Sequence, residues 1–306
     1  MSSSQLRWFN SYFHALCIRK VEGEWQRFVT DIMHARHGGD FIQVDPSFAG
    51  DKGCDGYVDG LMLACYGASR PTSAGTKSKM TSDLAKAKAA WGAQMVRWAF
   101  VHNNANGLPL AAAEALVDIK KNEKSGLLIE NWPPQVLWDE AVKQLSTDDL
   151  TILIGAPPSD RPAQMSYIAD AVRHISRTRW IADTGEVLPV PITKIEFNEF
   201  SEATAELIRE SQVHTHLVRY YFEHGTPGEQ FQVSEHLRSR YDAIVASGAS
   251  PDDIFHLLCD ELVTEAHELD PTADREQRRS AAILVVTHFF ESCLIFRMPD
   301  ELDVPA

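Results

Sequence analysis

The densest group of chemistry-bearing residues is a glycine-rich turn, Gly50-Asp-Lys-Gly-Cys-Asp-Gly56, with two aspartates four positions apart. Glycines allow the tight backbone from which a carboxylate can project at the start of a strand. Hard divalent ions such as Mg2+ or Mn2+ take oxygen ligands, commonly one or two carboxylates plus substrate phosphate oxygens. Asp55 and Asp51 are therefore candidate metal ligands. The same composition also makes an ordinary hairpin. Three neighbours favour the metal reading: an acid-bearing helix before the turn, an apolar strand after it, and a lysine-rich segment beyond. In that segment Arg70, Lys77, Lys79, Lys86, Lys88 and Arg97 stand against one acid, Asp83, a local net charge of +5. Such a stretch can contact a phosphate backbone, or its lysines can simply be the solvated face of an amphipathic helix.

Other motifs carry less. Ala74-Gly-Thr-Lys-Ser78 lacks the adjacent Gly-Lys and the preceding strand of a phosphate-binding loop, which argues against nucleotide binding there. His34 and His37 share a helix face but have no further ligands nearby, and His214 and His216, two apart, point to different sides. Cys17, Cys54, Cys65, Cys259 and Cys293 form no CxxC pair, so reduced, buried thiols are expected rather than a zinc site or disulfides. The tryptophans follow apolar periodicity and read as core.

Local patterns give the elements that must position these residues. Residues 5–37 are helical by spacing, with Phe9, Phe13, Leu16 and Cys17 on one face and Trp25, Phe28, Val29, Ile32 and Met33 on the next. Phe41–Asp45 reads as a strand, and Tyr57-Val58 with Leu61–Tyr66 as a hairpin across Asp59-Gly60. Gly67–Gly75 reads as a loop, and Ser82 as the cap of a helix reaching Met95. A strand at 98–102, a helix at 110–121, a strand at 126–130 and a helix opened by Pro133-Pro134 follow. Strands giving way to alternating helix and strand predict an α/β arrangement around a mixed sheet. Gly155, Pro157, Pro158 and Pro162 mark a linker, and from Phe197 onward the chain is helical, with Ser250-Pro251 opening one helix.

Composition supports division into parts. The 306 residues suggest two domains. Residues 1–150 have 16 basic against 17 acidic residues, whereas 151–306 have 13 against 26, a net of −13. The expected organisation is an α/β domain at 1–150, a linker region at 151–194 and an acidic all-α partner-binding domain at 195–306. An acidic surface would repel free DNA and suit a basic partner surface. No run of about 20 apolar residues exists and residues 1–8 lack a signal-type pattern, so neither membrane span nor secretion is expected.

Four segments carry a resemblance: Val21–Val29 (VEGEWQRFV), Asp45–Tyr57 (DPSFAGDKGCDGY), Met62–Ala68 (MLACYGA) and Ala281–Phe296 (AAILVVTHFFESCLIF). They resemble the first helix, metal-binding turn, third strand and closing helix of restriction-endonuclease-like proteins of the Mrr-like PD-(D/E)xK type. The closest likeness is to those that act beside an ABC-type ATPase in bacterial three-component (Lamassu-like) antiviral defence systems. The resemblance covers residues 15–135 and, more thinly, 200–298. It implies a restriction-endonuclease-like mixed sheet flanked by helices, plus an all-α C-terminal domain.

By the same resemblance Asp55 is the metal-binding aspartate and Asp51 a second ligand or a turn-former, with Mg2+ or Mn2+ as the ion. The first-helix glutamate falls at Gln26, with Glu24 as its replacement only in a shifted register. The Glu/Gln-x-Lys of the third strand reads Ala64-Cys65-Tyr66, so a lysine, Lys77, Lys79 or Lys86, would have to enter from the next segment. Arg70, Lys77, Lys79, Lys86 and Lys88 would meet DNA. The implied partners are DNA, an ABC/SMC-type ATPase and a third defence subunit, in the cytoplasm, with homo-oligomerisation left open. Two functions follow: a metal-dependent DNA endonuclease effector, or a catalytically degenerate adaptor bridging the ATPase to DNA or another effector.

Overall fold

The computed structural model describes residues 1–45, 52–159, 161, 163–173, 193–269, 273–292 and 295–297. The chain is mixed α/β and mostly helical. In order, it forms α1 (Ser3–Arg19), α2 (Glu22–His37), β1 (Ile42–Gln43), β2 (Gly56–Val58), β3 (Leu61–Tyr66), α3 (Ser73–Trp91), β4 (Arg97–His102), α4 (Leu110–Asn122) and β5 (Leu128–Trp132). Then come α5 (Pro134–Glu140), α6 (Thr147–Leu153), α7 (Met165–Arg173), α8 (Thr193–Phe197), α9 (Glu202–Gln212), α10 (His216–His224), α11 (Glu229–Ala246), α12 (Pro251–Leu269) and α13 (Arg275–Glu291). No described helix is long and apolar enough to cross a membrane. Two compact units result: residues 13–155, and residues 1–12 together with 156–306.

The α/β unit is built on one sheet of order β1-β2-β3-β4-β5. β1, β2 and β3 pair antiparallel, and β3, β4 and β5 pair parallel. β3 and β4 are buried along almost their whole length, which explains their unbroken apolar runs, LMLACY and WAFV: a strand covered on both faces has no reason to alternate. One face packs Met62, Ala64, Trp98 and Phe100 against Met80 and Leu84 of α3 and Leu116 of α4. On α2, Trp25 donates its indole N–H to the Val101 carbonyl (3.2 Å), while Phe28 lies beside Phe13.

α3 begins ten residues earlier than the Ser82 cap predicts. The Thr72 hydroxyl accepts from the Gly75 amide (3.1 Å) and caps the helix, so the stretch from Ser73 read as loop is its first turn. Ser, Gly and Thr are weak helix formers, and tertiary packing overrides them here. Gly53 is needed for that packing: its φ is +76°, and a Cβ there would lie 2.0 Å from the Asp83 carbonyl oxygen of α3.

The helical unit centres on α13, whose residues from Gln277 to Phe290 are buried except for Ser280. A helix apolar on every side must be wrapped, and α7, α9, α10 and α12 pack against it. Asp274 caps its start by accepting from the Glu276 and Gln277 amides. At its end the buried Lys194 ammonium donates to the carbonyls of Phe290 (2.7 Å) and Ile295 (2.9 Å). There it satisfies orphan carbonyls and favours the negative end of the helix dipole.

Residues 1–12, which the sequence assigns to the α/β domain, group with this unit. Arg279 of α13 donates to Asp260 Oδ1 (2.5 Å) and lies 5.3 Å from the ring centroids of both Trp8 and Tyr12. Tyr12 donates its hydroxyl to the other Asp260 oxygen. Ser11 bonds Thr204 (2.5 Å) and His256 Nε2 (2.7 Å), and Arg7 pairs with Glu206 (2.9 Å) and Glu210. The start of α1 is thus stitched to three helices of the C-terminal half. Breaking a buried ion pair from one side leaves a charge uncompensated, so Arg279→Ala should cost about 3–5 kcal/mol in chemical denaturation. A loss below about 1 kcal/mol, the value of an exposed pair, would contradict this packing.

Candidate functional site

Asp55 lies one residue before β2, and its carboxylate turns inward rather than toward solvent, with 6% of the residue exposed. Its backbone holds it in the sheet: Asp55 N–H donates to the Leu63 carbonyl (2.7 Å), and its own carbonyl accepts from Val44 (3.1 Å). The last β2–β3 pair is Gly56 with Leu63. Beyond that pair the Cys65 amide donates to Asp55 Oδ2 at 2.6 Å. The side chain therefore takes over from the strand that has ended, the local side-chain-to-backbone bonding typical of aspartate.

The second oxygen, Oδ1, accepts from Gln26 Nε2 at 2.6 Å. Gln26 and Asp55 are 29 residues apart in sequence and come together because α2 packs against β3. Gly67, just past β3, permits this approach, since a Cβ there would lie 2.3 Å from the Cβ of Trp25. Gln26 thus presents an amide donor to the Asp55 carboxylate.

The other expected residues are placed as follows. Asp51 lies outside the described residues. Glu24 is exposed on α2. Ala64 is buried in the sheet, and the Tyr66 ring stacks on Phe100 (centroids 5.7 Å apart). On α3, Lys79 pairs with Asp83 (2.7 Å), Lys86 stands 3.9 Å from the same carboxylate, and Lys88 is paired with Glu123 across to the segment after α4. That ion pair and the Ser125 bonds hold the Glu123 carboxyl down at about 2. Arg70 and Lys77 are exposed and have no acid partner among the described residues. The basic segment is a helix face in which three of the five candidate DNA contacts stand beside acids, two of them beside the buried Asp83.

A hard divalent ion needs several oxygen ligands. Among the described residues no group of three or more His, Cys, Asp or Glu converges, and both Asp55 oxygens already accept N–H donors. The described donor set around Asp55 does not fit such an ion.

A second polar cluster, absent from the sequence reading, closes the carboxyl end of the parallel strands, where α/β proteins commonly bind ligands. His102, at the end of β4, accepts from the Asn104 amide at Nδ1 (3.3 Å), so Nε2 carries the proton and donates to Asn131 Oδ1 (3.0 Å). Burial pulls its pKa down to about 4, against the opposing effect of the Asn131 bond, and keeps the imidazole neutral. Asn103 donates to the carbonyls of Lys20 (3.0 Å) and Ala68 (3.4 Å). These side chains plug the sheet end and satisfy its backbone. The Asn-rich run at 103–106 is their sequence signal.

The Gln26–Asp55 contact gives a sharp test. In Gln26→Glu two carboxylates face each other, a like-charge pair that a cation would relieve. This variant should lose on the order of 1–3 kcal/mol in EDTA and recover part of the loss with Mn2+, whereas wild type should be insensitive to the ion. Equal melting curves for both proteins under both conditions would refute the contact.

Comparison with known proteins adds one finding. Residues 166–297 match the model of C-terminal domain 10 of the ABC-three component (ABC-3C) systems. The match runs from α7 to just past α13, so part of the stretch read from sequence as linker lies inside this domain. No curated protein and no solved structure matches the chain. Over this stretch, less than half of the chain, it is similar to a C-terminal domain of the ABC-three component systems.

Proposed function

We propose that the chain is a non-catalytic adaptor subunit of an ABC-three component antiviral assembly. Its helical unit docks onto the ATPase of the system, and its α/β unit, a worn-down nuclease scaffold, offers the α3 face to DNA or to another effector in the cytoplasm. The observation that carries this reading is the carboxylate of Asp55, which is buried and bonded to the Gln26 amide and the Cys65 backbone N–H. Ala64 and Tyr66 support it, because neither supplies a ligand or the cation that would assist an attacking hydroxide. Metal-assisted phosphodiester cleavage requires an ion to polarise the phosphate and acidify a water, and this reading routes no chemistry through one.

The rival reading is the endonuclease effector, with Asp55 and Asp51 on Mg2+ and Lys77 or Lys79 as the cation. Incubating plasmid DNA with the purified chain, alone and with its ATPase and third subunit, in Mg2+ or Mn2+ separates the two. The adaptor reading expects intact plasmid in every arm. Cleavage that disappears in Asp55→Ala would overturn it and establish the nuclease.

A further inference from the structure

The helical unit contains a cleft of about 220 Å3 between the start of α1, α9, α13 and the segment around Ser159. We propose that it seats the end of a partner peptide, an apolar last residue with its free carboxylate. This deepens the reading of the helical unit as the docking module and rests on it. The volume is below the roughly 300–1,000 Å3 of pockets for drug-sized ligands, and it suits one residue rather than a nucleotide. Leu207, Ile283 and Leu284 give it an apolar wall.

The polar rim decides the ligand class. The hydroxyl proton of Ser4 goes to Glu210 (3.0 Å), that of Ser211 to the Leu207 carbonyl (2.8 Å) and that of Ser280 to the Glu276 carbonyl (3.0 Å). Ser280 Oγ also accepts from the Ser159 amide (2.8 Å), and the remaining lone pairs of these three serines are acceptors. Glu210 is paired with Arg7, which it shares with Glu206. Arg161 and His214 also line the cleft; among the described residues the Arg161 guanidinium has no acid partner and the His214 imidazole no hydrogen bond. Ser159 Oγ accepts from Gln277 (3.0 Å) and from the Arg161 amide (3.2 Å) and keeps its own proton to give.

The cleft thus pairs a planar cationic fork and an imidazole with a ring of acceptors beside an apolar wall. A carboxylate matches the guanidinium in two-pronged geometry. A peptide N–H supplies the donor that the serine lone pairs call for. Phosphate, which carries acceptors on every side, meets those lone pairs unfavourably.

The test uses N-acetyl-leucine as probe, titrated into the full chain and followed through the methyl resonances of Leu207, Ile283 and Leu284. N-acetyl-leucinamide and inorganic phosphate are the comparison arms. Saturable shifts with the acid are expected, with the amide and phosphate weaker by on the order of tenfold, the value of a lost charge-assisted pair. Arg161→Gln, at an exposed position, should fold normally and lose the acid's advantage. Equal binding of acid and amide, preference for phosphate, indifference to Arg161→Gln, or no shift at millimolar probe would each overturn the proposal. The docking reading is scored separately, by co-elution of the full chain with its ATPase, and can stand if the cleft fails.

Discussion

Burying a carboxylate demands partners, because removing an ionised group from water without hydrogen bonds is prohibitive. In the α/β unit that demand falls on Asp55, and it is met by one side-chain amide and one backbone N–H. Bonds to a charged group contribute about 1.5–3 kcal/mol each, enough to fix where α2 sits on β3 and where β2 stops. The difference between an amide and an acid at position 26 decides the chemistry: glutamine gives a proton to Asp55, whereas glutamate would compete for a shared cation. Among the described residues, N–H donors meet both oxygens of the Asp55 carboxylate.

The helical unit obeys a different constraint. α13 has no solvent face for most of its length, so every neighbour must present an apolar or hydrogen-bonded surface to it. Arg279 is the exception that organises the rest. A buried guanidinium needs a carboxylate, supplied by Asp260, and benefits from aromatic faces, supplied by Trp8 and Tyr12. This is why twelve residues from the start of the chain belong with its C-terminal half. The stretch similar to the ABC-three component domain, 166–297, therefore shares its compact unit with residues outside the match.

Much of this was legible in the sequence. The βLeu61–Tyr66 run, the alternating helices and strands after it, the acidic helical half and the proline-opened α12 all follow from local pattern, and the structure has them. Asp55 could be singled out from its glycines, whereas Gln26 came only from the resemblance. Local pattern could not reveal what depends on distant partners. The start of α3 looks like a loop until Thr72 caps it and Gly53 lets it pack. α7 hides behind Pro157, Pro158 and Pro162. Trp8 and Tyr12 repeat at helical spacing, but spacing does not say which core they enter. His102 carries no motif at all; only the fold brings Asn131 to it. The direction in which a carboxylate points is likewise a tertiary fact, and it separates a metal ligand from a structural acceptor.

The central claim, that the Asp55 carboxylate is balanced by N–H donors and holds no ion, is tested most directly by calorimetric titration of Mn2+ into the wild-type chain, with Asp55→Ala as the reference. The account predicts the same featureless dilution heats for both proteins. A saturable, stoichiometric binding isotherm in wild type that vanishes in Asp55→Ala would contradict it.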